Sequence, residues 1–417
     1  MEFYEVLTKR DRFFTENNRF KHHIFGDYLV SNYNIRRQDG QLFIKIHNEY
    51  QAGREIFEHV MVRELPELNK QRRAEVWAYL NLVPIEEFPP ADRTTIFFEN
   101  GQLKLPQMLF FNNKNDVIPV NKLPIKYSPL LYNEIVEQFL NDISCGDVSL
   151  RKVLEEVAGM CLYRGMEYSR AVFLIGNRCN GKSTFLELVR AMLGDKNVSS
   201  MDLCELQEKF SNAELHNKLA NIGDDIGDEY IPNTSIFKKL VTGETIQVQR
   251  KGTDPFDMRS YATLLFAANE LPKIKDTTGA VQRRLLIIPF NADFSDSIDI
   301  KMRDKLLRDE CVEYFCSLAI RGLKRVFDNG KFTDCEAVNN ELKRYHNDNR
   351  SIELRFLESL DDICGRYSDS VYNDYVDFCR SNQARPISKI QFSREVCSIK
   401  NVRTTPRKGG RVYTSYT

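Results

Sequence analysis

Apolar residues recur along this chain in two registers. Continuous β-prone runs occur at Ala171-Val172-Phe173-Leu174-Ile175, Leu219-Ala220-Asn221-Ile222-Gly223, Tyr261 to Ala268 and Leu285-Leu286-Ile287-Ile288-Pro289-Phe290, and each reads as a buried strand. Helical spacing appears in Ile135, Phe139, Leu140 and Ile143, in Val153, Leu154, Val157, Met160 and Cys161, and in Leu186, Val189, Met192 and Leu193 before Gly194. A further helix-rich section is expected from Met302 to Phe327. Strands alternating with helices predict an α/β domain. Up to about residue 125 the pattern is mixed and broken at Pro89-Pro90, Pro106, Pro119 and Pro124. Near the other end, Tyr372, Tyr375, Val376 and Cys379 form one helix face, and Ser388 can cap a second helix containing Phe392 and Val396. Val402 to Thr405 and Arg411 to Thr414 flank the turn Lys408-Gly409-Gly410. These changes of pattern divide the chain into 1–128, 129–347 and 348–417.

The chemistry begins directly after the first buried run. Gly176-Asn177-Arg178-Cys179-Asn180-Gly181-Lys182-Ser183 fits G-x-x-x-x-G-K-[ST], with a strand before it and a helix after it. Glycines let such a loop fold around phosphate oxygens, and the helix start adds amide donors and the positive end of its dipole. ATP is therefore expected on Gly176 to Thr184. Lys182 would reach the β- and γ-phosphates, and the Ser183 hydroxyl would complete the shell of Mg2+.

The run 219–223 ends in Asp224-Asp225. A carboxylate at a neighbouring strand tip can hold the metal and a second can orient the attacking water. The expected assignment is Asp224 to the metal and Asp225 to the water, with Asp228 as a third participant. Asn269 closes the run 261–268, where an amide can bond both the γ-phosphate and the water. Arg283-Arg284 stands just before the run 285–290, a placement suited to an arginine finger acting across a subunit interface. Phe237 to Gly252 reads as a hairpin carrying Lys238, Lys239, Arg250 and Lys251, which a motor gripping a phosphate backbone needs.

Loop, double acid, basic hairpin, strand ending in Asn and arginine pair, in that order, resemble the superfamily 3 helicases, a viral and plasmid branch of the AAA+ ATPases. Phe98 to Leu105 and Leu123 to Tyr127 look like the segment ahead of the motor in phage and plasmid primase-helicases and the related poxvirus enzyme. The resemblance implies an AAA+ core behind an α+β, partly helical N-terminal region, and a C-terminal winged helix. It also implies a hexameric ring moving 3′ to 5′ on single-stranded DNA, with Lys251 contacting the strand in the channel. Two departures stand out: the region ahead of the motor leaves no room for a primase domain, making a primase a separate partner, and Asn221 and Gly223 interrupt the apolar run before the double acid.

Charge and cysteine content refine this picture. Lys plus Arg equals Asp plus Glu at 59 each, but from residue 381 onward Arg385, Lys389, Arg394, Lys400, Arg403, Arg407, Lys408 and Arg411 are opposed only by Glu395. That concentrates an electrostatic footprint for duplex DNA at the C-terminal module, where Lys389, Arg394, Arg407, Lys408 and Arg411 are the expected contacts. The 10 cysteines are scattered with no C-x-x-C pair, as in reduced thiols of a cytosolic protein. No apolar run approaches a membrane span, and the N-terminus lacks a signal-peptide pattern. Two rival functions share parts of this pattern. A DNA-binding initiator or loader would use the same ATP site without unwinding, and a metabolic kinase would work as a monomer indifferent to DNA.

Overall fold

The computed structural model describes residues 9–38, 40–47, 49–88, 92–112, 118–208, 210–224, 234–250, 252, 254–271, 281–295, 301–348, 352–360 and 362–415. Its centre is a five-stranded parallel sheet formed by β1 (Ala171–Ile175), β2 (Val198–Ser199), β3 (Ala220–Gly223), β4 (Thr263–Ala268) and β5 (Leu285–Pro289). The strand order is β5-β1-β4-β3-β2. Alternate side chains serve opposite faces. Val172, Leu174, Leu265, Ala267, Leu286 and Ile288 join one buried cluster, while Phe173, Leu264, Phe266, Leu285 and Ile287 join another. Helices cover both faces, which is why these strands read as continuous apolar runs.

On the first face lie the helices Glu134–Ile143, Val148–Met160, Lys182–Leu193 and Asp309–Asn329. Two of them, Val148–Met160 and Asp309–Asn329, approach backbone to backbone. A Cβ on Gly322 would lie 2.5 Å from the Glu155 carbonyl carbon and oxygen, and one on Gly159 would lie 2.2 Å from the Ala319 oxygen. Arg325 pins the crossing by bonding Glu155 at 2.8 Å and the fully buried Glu156 at 3.1 Å. Gly322→Ala should therefore lower the thermal midpoint, even though alanine ordinarily favours a helix interior by up to ~1 kcal/mol over glycine. Forcing the two backbones apart costs about 1–3 kcal/mol, so a midpoint that rises would show that the crossing yields.

Residues 96–112 and 118–125 pack into this same cluster, through Ile96, Phe98, Leu103, Leu105, Leu123 and Ile125. A separate cluster holds residues from Phe13 to Ile85, built on the helices His22–Asn32, Arg54–Glu64 and Lys70–Leu82 and a small antiparallel sheet. Packing thus changes over between Ile85 and Ile96, ahead of the boundary expected at 128. The C-terminal cluster runs from Phe356 to Tyr413. Its order is helix Ile352–Glu358, the single bridge residue Tyr367, helix Ser368–Ser381, helix Lys389–Ile399 and the hairpin Val402–Arg407/Gly410–Ser415. Tyr367 forms a single antiparallel bridge with Val412 at the edge of the hairpin. Ser388 caps its helix by accepting from the Gln391 amide at 3.3 Å. Among the described residues no helix is long and apolar enough to cross a membrane.

Candidate nucleotide site

In an open parallel sheet, ligands bind outside the carboxyl ends of the strands where the chain order switches sides. Here that switch lies at β1, whose neighbours β5 and β4 are its later strands, and the loop 176–183 leaves β1 at this point. Gly176 is required by close approach: a Cβ there would sit 2.3 Å from the Phe290 carbonyl oxygen. Gly181 has φ +89°, where a side chain would be strained, and a Cβ would lie 2.7 Å from Ile143. The helix Lys182–Leu193 starts immediately afterwards.

The Lys182 ammonium is drawn back into this loop and is nearly buried. It donates to the Gly176 oxygen at 2.6 Å, the Asn177 oxygen at 2.7 Å and Asn180 Oδ1 at 3.0 Å, matching its three N–H groups with three acceptors. Asn180 in turn donates through Nδ2 to the Phe290 oxygen at 3.0 Å. The Phe290 amide donates to Ile175 at 2.7 Å, and Phe294 donates to the Cys179 oxygen at 2.9 Å. The loop is thereby strapped to the segment that follows β5, a connection that no local motif in the sequence signals.

Ser183 Oγ donates to Asp224 Oδ1 at 3.3 Å, bringing the helix start and the tip of β3 together. The two sequence departures ahead of Asp224 have structural reasons. Asn221 is fully buried, accepting from Ser199 Oγ and the Met201 amide and donating to the Met201 oxygen, all at 2.9 Å. Gly223 leaves room for the Phe266 ring, which a Cβ would meet at 2.8 Å. Arg178 to Thr184, Asp224 and Ala267 to Asn269 line one cleft of about 470 Å³. An adjoining cavity of about 700 Å³ shares Arg178 and Asn269 with it and is walled by Glu270, Asn291, Asp293 and Arg344.

Asp225, Asp228 and Lys251 lie outside the described residues. Arg283 and Arg284 stand at the amino end of β5, in the short 3-10 turn Gln282–Arg284. The loop lies at the other end of the paired strand β1. Five strand residues at roughly 3.3 Å each separate the two ends by about 16 Å, farther than an arginine side chain spans.

The expected basic hairpin needs correction. Lys238 and Lys239 belong to the helix Ser235–Thr242, whose Phe237, Leu240 and Val241 are buried and whose end is Gly243 at φ +67°. The apolar positions there follow helical spacing, and the glycine supplies the left-handed cap. Only Ile246–Val248 and Phe256–Met258 form the hairpin, with Arg250 stacked 5.4 Å over Phe256. In the C-terminal unit Arg394, Arg407, Lys408 and Arg411 are exposed, whereas Lys389 is paired with Asp369 at 2.6 Å. That contact holds the Asp369 carboxyl below its usual range.

Three viral proteins match the sequence over parts of the chain. The identity is 28% over 158 residues with "Putative helicase L207/L206" of Acanthamoeba polyphaga mimivirus, covering 36% of this chain and 16% of that protein. It is 26% over 216 residues with "Putative helicase 121R" of Invertebrate iridescent virus 3, covering 48% and 23%. "Putative helicase 184R" of Invertebrate iridescent virus 6 is 32% identical over 91 residues, 20% of this chain and 9% of that protein. By sequence, the chain is similar to viral helicase-like proteins. It spans less than a quarter of their lengths.

Residues 174–284, from the strand ahead of the loop to the arginine pair, match a family model described as "Family of unknown function (DUF5906)". The fold as a whole is similar to that of the NrS-1 C-terminal region, with a TM-score of 0.55 at 12% identity over 93% of this chain and 96% of that one. A second structure of that region, residues 305–718, gives 0.52 at 13% identity over 95% and 99%. This likeness concerns the fold: a mixed α/β arrangement with a parallel sheet.

Proposed function

We propose that this chain is the ATP-driven motor of a ring-forming DNA helicase from a virus, phage or mobile element, of the superfamily 3 AAA+ type. The observation that carries the reading is the approach of Ser183 to Asp224 at 3.3 Å, beside the phosphate-type loop and Asn269. The residues present suit magnesium-ATP: two glycines form a cradle that a Cβ would fill, a lysine reaches into it, and a hydroxyl and a carboxylate meet at its rim. Magnesium is usually bound through one or two protein oxygens together with substrate phosphates, so the nucleotide's own oxygens would complete a shell begun by Ser183 and Asp224.

When bound, the magnesium nucleotide supplies the reactive phosphoryl group and the charge that offsets its oxygens. Lys182 exchanges its loop acceptors for phosphate oxygens. Ser183 and Asp224 would hold the metal, Asp225 would orient the attacking water, and Asn269 would bond both that water and the phosphate. The arginine pair, remote from its own loop, serves a neighbouring subunit. Arg250, Lys251, Lys238 and Lys239 supply cations toward single-stranded backbone, translocation running 3′ to 5′. The resemblance implies a primase as a partner and the host cytosol as the location.

The C-terminal unit is read as a winged helix that binds duplex DNA through Arg394, Arg407, Lys408 and Arg411, with Lys389 joining once it leaves Asp369. Arg407→Ala/Lys408→Ala should weaken binding about equally for all sequences and lower the slope of log K against log salt by about 2, one per phosphate contact. Anisotropy titrations over a salt series measure this, and an unchanged slope would remove the hairpin from the interface.

ATP hydrolysis, forked-DNA unwinding and native mass, measured with and without single-stranded DNA, test the whole reading. DNA-stimulated hydrolysis with strand separation and a ring-sized mass is expected. Hydrolysis and DNA binding without separation would favour an initiator or loader, and turnover by a DNA-indifferent monomer would leave only the kinase.

A further inference from the structure

The helix Lys389–Ile399 turns Phe392 and Val396 into the core of the C-terminal unit. Residues four apart share a helix face, so Ile390, Arg394 and Ser398 align on the side away from that core, with Gln391 next to them. All four are exposed. The helix itself is firmly seated. Phe392 stacks on Tyr375 with ring centroids 4.2 Å apart. The Tyr372 hydroxyl donates to the Ile387 oxygen at 2.8 Å, and the Ile387 amide donates to the Tyr375 hydroxyl at 3.2 Å. Two cations of this helix and its end are committed within the unit, Lys389 to Asp369 and Lys400 to the Leu360 oxygen at 3.0 Å. What the face presents outward is therefore one branched apolar side chain, one amide, one guanidinium and one hydroxyl.

Exposed cations elsewhere in the unit, at Arg385, Arg403, Arg407, Lys408 and Arg411, fit a polyanion. A single exposed apolar residue is ordinary by itself, but Ile390 is 70% exposed at the centre of the outward face, where a phosphate backbone has no use for it. A membrane surface calls for a broader apolar stripe, and single-stranded bases call for an aromatic platform. The four outward residues supply neither. Base edges in a duplex call for this mixture: a thymine methyl takes apolar contact, adenine takes two bonds from an amide, and guanine takes two from arginine. The major groove, about 12 Å wide, admits an α-helix.

We propose that Ile390, Gln391 and Arg394 read base edges in the major groove, so that this chain selects one duplex sequence instead of binding all duplexes alike. The inference rests on the reading above in which the C-terminal unit binds duplex DNA, and it separates two kinds of contact within that unit. Arg407, Lys408 and Arg411 hold phosphates and carry no sequence information. The helix face supplies the selection, with Ile390 against a thymine methyl, Gln391 on adenine and Arg394 on guanine.

Selection of bound duplexes from a random-sequence library by the full chain, followed by competition between the selected duplex and a scrambled one, tests this. A consensus is expected, with the selected duplex bound at least ~10³-fold more tightly. Gln391→Ala should cut that ratio by about 5- to 150-fold, the worth of one two-bond contact to a base, and relax the consensus at one adenine. Ile390→Ser should relax it at a thymine, whereas Ile390→Val, which keeps the methyl groups, should not. Uracil in place of that thymine should reproduce the loss seen with Ile390→Ser and add nothing to it. The thermal midpoint should hold in each variant, because the side chains are exposed. Salt-dependent duplex binding with no consensus would overturn base reading and leave the duplex-binding reading standing. No binding to any duplex, even at low salt, would overturn both. A consensus unmoved by the Ile390 and Gln391 variants would place the selection elsewhere in the chain and overturn the role of this helix. Binding to phosphatidylserine vesicles that Ile390→Ser abolishes, without a duplex consensus, would make the face a membrane contact and overturn the proposal.

Discussion

Lys182→Ala is expected to abolish ATP turnover, with a loss of at least ~10²- to 10³-fold, the range for removal of a single preorganised donor to developing charge. The structure sharpens that expectation. The ammonium is held by the Gly176 and Asn177 carbonyls and Asn180, so it already stands within the loop where phosphate oxygens would lie. Binding then exchanges one set of acceptors for another at little cost in side-chain ordering. The alanine variant also leaves two loop carbonyls without their donor, which costs about 1–3 kcal/mol if they remain dry. Turnover should therefore be read beside the thermal midpoint: loss of activity with a small shift in midpoint is the expected pair. Retained hydrolysis would refute the assignment of the site.

Arg283→Ala/Arg284→Ala is expected to reduce turnover by about 10³- to 10⁵-fold, the range for an arginine finger supplied in trans. The placement of the pair allows no smaller claim. Both residues precede β5 at the edge of the sheet opposite the loop, so within one subunit they cannot touch the phosphates. If they matter for hydrolysis, they matter to a neighbour. Mixing these subunits with Lys182→Ala subunits should restore part of the activity, because some junctions then unite an intact loop with an intact arginine pair. No recovery at any ratio, in an assembly of normal mass, would count against action in trans.

Much of the parallel-sheet region is legible in the sequence because its signals are local. The loop, its preceding strand and its following helix are contiguous in sequence, and β1, β4 and β5 are apolar on both faces, β3 on one. Asp224 could be located at a strand tip, although only the fold brings it to Ser183. What the sequence concealed depends on partners distant along the chain. Residues 96–112 and 118–125 carry no mark showing that they pack with the sheet cluster instead of the earlier residues. The Tyr367 bridge needs Val412 to exist. The two-residue strand β2 is short enough to escape any periodicity. Lys238 and Lys239 depart from expectation for a different reason: a helix of eight residues ending at a glycine lies directly ahead of a true β hairpin, so helical spacing and β alternation run into each other across a single cap.

The strap between Asn180 and Phe290 ties one end of β5 to the loop. One end of this strand is fastened to the loop of its own subunit by hydrogen bonds through Phe290, and the other end leads directly from Arg284. Among the described residues β5 pairs within the sheet with β1 alone, and its side chains lock it into the clusters on both faces, so its two ends hold a fixed distance from each other. If the arginine pair serves a neighbouring subunit, these five residues of backbone are a rigid spacer between the loop that holds one nucleotide and the cations offered to another.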